Sequence, residues 1–89
     1  MATKYSVSNL RDYMESNRLE AHSDPSIECD SYDLAKSELY AYFNKWNGAA
    51  AGSDDYIATQ IDSFDNNMIM FSISFKDYVV THTVKITEM

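Results

Sequence analysis

The stretch EAHSDPSIECDSYD, residues 20–33, gathers five carboxylates, the only cysteine, the only proline and one of the two histidines. A thiol, an imidazole and carboxylates this close in sequence could ligate a metal or support nucleophilic catalysis. A structural zinc site, however, wants four ligands, usually Cys and His at paired spacings. Cys29, His22 and the distant His82 are too few. Calcium would accept the oxygens of Asp24, Glu28, Asp30 and Asp33, yet their spacing is not that of an EF-hand loop and the turn glycine is missing. Nucleophilic catalysis needs a base, its orienting partner and an oxyanion site together, and sequence proximity of His22 to Cys29 supplies none of the last two. Paired carboxylates would need a cleft to separate their pKa values, for which so small a domain has little room. GAAAG lacks the lysine and the preceding strand of a phosphate loop. No catalytic residue, metal or cofactor is expected, and the chain is expected not to be an enzyme.

The charge pattern is more informative than the thiol. Residues 12–65 carry twelve acids against Arg18, Lys36 and Lys45, a net −9, whereas residues 1–11 carry only Lys4 and Arg11 and residues 66–89 balance. An acidic chain repels nucleic acid and anionic membranes and is steered towards basic surfaces. The seven basic residues form no cluster, so direct nucleic-acid binding is not expected. A lone cysteine allows no intrachain disulfide, and MATKYSVSNL has no apolar core of signal-peptide length. A cytoplasmic protein, with no membrane attachment, is the expectation.

Eighty-nine residues suffice for one domain, 1–89, burying about 60–65% of its unfolded surface. Val7, Leu10, Tyr13 and Met14 recur at helical spacing and predict a helix over about 7–17. An acidic connection, 18–30, follows. Ala35, Leu39, Tyr42, Phe43 and Trp46 predict a second helix over about 31–47, capped by Asp30 or Ser31 and closed by Gly48. The apolar period then changes to two. Strands are predicted at about 56–64, 68–75 and 78–87, although Ile57, Ile61 and Phe64 also fit a helix. His82 falls on the apolar face of the last strand, between Val80 and Val84. The expected fold is α+β: two helices, then a three-stranded antiparallel meander, in two layers.

Acidity remains as the candidate function. In an extended SIECD, Glu28 and Asp30 share one side about 6.6–6.8 Å apart, and acids at helical i, i+3 or i+4 lie about 5–6 Å apart. Such a grid can face Lys and Arg pockets that normally hold phosphates, with bidentate Arg–carboxylate pairs adding geometry. The candidate partner-binding residues are Glu20, Asp24, Glu28, Asp30, Asp33 and Glu38, with Asp54 and Asp55 past the second helix. Tyr32 joins them; it and Tyr40 lie off the main apolar stripe and are candidate aromatic contacts. Helix capping and solubility are the alternative roles of these acids.

In its size, its acidity, the segment EAHSDPSIECDSYD, the pair Asp54–Asp55 and the aromatic helix LYAYFNKW, the chain resembles small phage-encoded inhibitors of bacterial defence. Anti-CRISPR and DNA-mimic proteins are the types it is similar to. The resemblance implies a non-enzymatic inhibitor that binds a basic nucleic-acid-binding surface of a larger complex, such as a CRISPR effector, and blocks target-DNA recognition by partial phosphate mimicry. It would act in the cytoplasm of a bacterial host. The alternative is a small structural or adaptor domain, monomer or homodimer, binding through its aromatic face.

Overall fold

The computed structural model describes residues 4–15 and 18–89. Seven elements follow in order: β1 (Tyr5–Glu15), β2 (Arg18–His22), β3 (Ile27–Cys29), α1 (Tyr32–Ala51), β4 (Tyr56–Phe64), β5 (Met68–Phe75) and β6 (Tyr78–Glu88). All six strands join one antiparallel sheet in the order β2-β1-β6-β5-β4, with β3 also paired to β1. The helix lies on one face of it.

Two helices followed by a three-stranded meander is therefore not the architecture. In place of the expected helix over 7–17, residues 7–15 are strand, with 16 and 17 outside the described residues, and the expected acidic connection over 18–30 contributes two more strands. The physical reason lies in pairing. β6 offers a full row of backbone donors and acceptors, and β1 satisfies it from Tyr5 opposite Glu88 to Glu15 opposite Tyr78. That tertiary demand outweighs a weak helical stripe, as Tyr and Val already favour strands. The four apolar residues that suggested a helix divide between the two faces of the sheet. Val7 is buried beneath α1, whereas Leu10 and Met14 are 41% and 60% exposed.

β2 and β3 pair with different halves of β1, through Arg11–Glu15 and Tyr5–Val7 respectively. They form one interrupted edge. In the gap, Asp24 N–H donates to Asn9 Oδ1 at 3.2 Å, so a side chain of β1 takes over from the ladder where Pro25 cannot donate.

The hairpin strands bury alternate residues. Ile69, Phe71 and Ile73 on β5, and Val80, His82, Val84 and Ile86 on β6, are all buried. Opposite them α1 supplies Ala35, Leu39 and Ala50, and β1 and β3 add Val7 and Cys29. Phe71 is central: its ring meets Phe43 edge-on at 4.8 Å and stacks on His82 at 4.6 Å. Such aromatic contacts add about 0.5–1.5 kcal/mol each beyond burial.

The helix begins where Ser31 Oγ accepts from Leu34 N–H at 3.2 Å, with Asp33 in the first turn. It does not end before Gly48. It continues to Ala51, and the Gly52 N–H caps the Ala50 carbonyl. Residues 56–64 are a strand with two register shifts, at Tyr56/Ala58 and Ile61/Ser63. No helix among the described residues is long and apolar enough to cross a membrane.

Candidate functional site: an acidic edge

The interrupted edge carries most of the acids singled out above. Glu20 lies on β2 opposite Tyr13, and its carboxylate is 3.7 Å from His22 Nε2. Asp24 sits in the gap, where Oδ1 accepts from Arg11 Nη2 at 3.2 Å. Glu28 lies on β3 opposite Ser6 and pairs with Lys4 at 2.8 Å, both side chains being half exposed. That contact holds the Lys4 ammonium above its ordinary pKa, chiefly through the hydrogen bond it donates to Glu28, with Asp30 a weaker contributor. Asp30 occupies the bend before the helix, and Asp33 is exposed in its first turn.

Glu38 is one turn further along α1 and half-buried. With Ile27, Asn9, Tyr42 and Lys45 it lines a recess of about 160 Å³ between the helix and the β1–β3 edge. Glu20, Asp24, Glu28, Asp30, Asp33 and Glu38 thus share the β2–β3 side of the molecule. Three of these six already face a local base: His22, Arg11 or Lys4.

Three other candidates lie elsewhere. Asp54 and Asp55 are in the turn after α1, whose twenty residues span about 30 Å, so they are at the opposite end of the helix from Asp33. Tyr32 is committed internally: its hydroxyl donates to the Asn66 carbonyl and lies 3.0 Å from Asn67 Oδ1, tying the start of α1 to the β4–β5 turn. Lys36 donates to the same Asn66 carbonyl, its ammonium about equally distant from the rings of Tyr32, Tyr40 and Phe64. Tyr40 stacks on Phe64 at 6.1 Å and stays 42% exposed.

Among the described residues no three His, Cys, Asp or Glu side chains converge to hold a metal ion. Cys29 is buried beneath the helix start, and burial raises its thiol pKa, with the charges of Glu38 and Asp30 adding to the effect. His82 is buried against Phe71, Tyr42 and Trp46. Burial, assisted by the Arg11 charge, lowers its pKa to about 4, so it is a neutral core residue at physiological pH.

Sequence reasoning missed Arg11 as an organiser of this edge. Its guanidinium covers the Trp46 ring at 4.8 Å while donating to Tyr13 Oη and Asp24. A base four residues after Val7, on the same face of an extended strand, would have signalled it. Also missed was the opposite edge, where Ile57, Ile61 and Phe64 of β4 are 51–63% exposed. No family model, no curated protein and no solved structure matches the chain.

Proposed function

We propose that the chain is a non-enzymatic inhibitor whose acidic edge docks onto a basic, nucleic-acid-binding surface of a larger protein complex. The observation that supports this reading is the shared placement of Glu20, Asp24, Glu28, Asp30, Asp33 and Glu38 along one side of the fold. Asp30 and Asp33 are exposed at its helix-start end and can each accept a bidentate Arg. Asp54 and Asp55 stand about a helix length away, which favours the blocking of one pocket over mimicry of a long duplex. The anti-CRISPR-like form of the proposal is that this edge occupies the site at which a bacterial effector reads its DNA target. The inhibitor would then work in the host cytoplasm.

The test is a pulldown from bacterial lysate with the full chain as bait, washed at low and at high salt. A nucleic-acid-binding protein that elutes with salt is expected, and Asp30→Lys combined with Asp33→Lys should abolish its capture. Retention that ignores salt, or that survives the double reversal, refutes the electrostatic mechanism.

A second reading rests on a specific observation, the exposed apolar residues Ile57, Ile61 and Phe64 on β4, with Phe64 stacked on Tyr40. It makes the chain an adaptor or homodimer that associates through this aromatic side, tolerant of salt and damaged by Tyr40→Ala instead of charge reversal. Light scattering at increasing concentration and salt separates the two readings.

A further inference from the structure

Where the last turns of α1 pass over the ends of β1, β5 and β6, the helix carries only Gly48, Ala49, Ala50 and Ala51. The small side chains leave the sheet unfilled. The result is a half-open cavity of about 240 Å³, walled by the rings of Tyr13, Trp46, Phe75 and Tyr78. Exposed Ala49 and Ser53 stand at its rim and His82 lines it from the sheet.

We propose that this cavity is a binding site for a small, neutral, planar aromatic molecule of one ring or two fused rings. Size is the first argument. A dry protein cavity of about 150 Å³ accepts benzene, and this one is larger but below the common range for drug-sized ligands. Shape is the second, because four aromatic walls offer edge and face contacts to a flat ring.

Charge is the third. Among the described residues no carboxylate, ammonium or guanidinium lines the cavity, and His82 is neutral above about pH 4. A charged ligand would lose its hydration without a counterion. Polar contacts are available for one hydroxyl or ring N–H: the Ser53 hydroxyl, the Tyr13 and Tyr78 phenols, and the His82 nitrogen that Tyr42 leaves unused.

The walls are also pre-organised. Arg11 holds the Trp46 ring from one side at 4.8 Å, and Phe75 stacks on Tyr78 at 4.8 Å. A ligand would therefore order little on entering. This site is separate from the acidic edge, and its occupancy does not depend on that edge having a partner.

The experiment titrates the full chain with 4-fluorophenol. Binding is followed by fluorine NMR of the probe and by the indole N–H signal of Trp46, the only tryptophan. Saturable binding with a Kd below about 1 mM is expected, together with a shift of the Trp46 signal. Benzoate, the charged comparator, should bind at least about tenfold more weakly. Ala49→Phe, at an exposed helical position, should fill the mouth and weaken binding by at least about tenfold. Ser53→Phe makes the same test from the turn, should Ala49→Phe lose its native amide dispersion. The proposal is overturned if 4-fluorophenol shows no saturable binding, if benzoate binds as tightly, or if neither filling variant weakens binding. It is equally overturned if only a tryptophan-containing peptide binds, which would give the cavity to a partner's side chain.

Discussion

The Tyr42 hydroxyl and His82 Nδ1 meet at 3.1 Å, the one on the helix and the other in the middle of β6. This contact gives the only fully buried polar side chain among the described residues a partner across the layer boundary. Burial raises the Tyr42 pKa to about 12, against the opposing effect of Arg11, and lowers that of His82 to about 4. Both groups stay neutral, and a neutral hydrogen bond avoids the cost of a buried charge.

Acid should therefore act on the fold through His82. The unfolded chain takes up this proton near pH 6.5, the folded one only near pH 4. Stability from this group is complete above pH 6.5 and is lost as pH falls from 6.5 to 4. The loss from one proton is at most about 1.4 kcal/mol per pH unit. Urea midpoints measured across that window should fall with pH, and His82→Phe should flatten the dependence.

Arg11 adds to the depression of the His82 pKa by its charge, behind burial. Arg11→Met keeps the aliphatic cover on Trp46 and removes the charge. The His82 pKa should rise from about 4 yet stay below 6.5, as followed by imidazole proton shifts. Arg11 Nε is buried without a hydrogen-bond partner among the described residues. Its removal offsets the lost contact with Asp24, so stability should change by no more than about 1 kcal/mol.

Gly48 lies within α1, and a Cβ built there meets nothing within 4 Å. Gly48→Ala should then stabilise the protein by about 0.5–1 kcal/mol through lower unfolded-state freedom. Thermal unfolding followed by circular dichroism measures it, and an unchanged or lower midpoint would count against the extent of the helix.

Leu34 and Leu39 are both on α1, but Leu34 is 54% exposed and Leu39 is fully buried. Leu39→Ala should cost about 2–5 kcal/mol, whereas Leu34→Ala should stay within about 0.5 kcal/mol. Chemical denaturation of the two variants side by side tests where the helix faces.

Cys29 is buried and its thiol pKa is raised by that burial. A thiol reagent such as DTNB at pH 8 should react slowly with the native chain and rapidly in denaturant. Fast native reaction would contradict the packing of β3 beneath the helix.

The helix over Tyr32–Ala51 and the hairpin strands were legible because each repeats its burial pattern without conflict. Ile69, Phe71 and Ile73 alternate with polar or sulfur-containing neighbours, and only one face of a sheet can hold them. β1 was not legible as a strand. Its inward face includes Asn9 and Arg11, whose partners Asp24 and Trp46 are distant in sequence, so its alternation is hidden. β2 and β3 are short and polar, and they owe their conformation to β1. For the site, sequence alone grouped six of the acids that share an edge. Nothing local marked Tyr32 as an internal tie, because Asn66 and Asn67 reach it only through the fold.

The pairing of β1 with β6 brings Tyr5 against Glu88 and Glu15 against Tyr78. During synthesis, β1 must therefore wait until β6, as far as Glu88, has left the ribosome. Until then its edge, and the β2 and β3 segments that depend on it, have no native template. Such distant closure slows folding relative to local helices. The newborn chain spends that interval with Val7, Tyr13 and the apolar side of α1 uncovered, so demand on chaperones should centre on the first half of the protein.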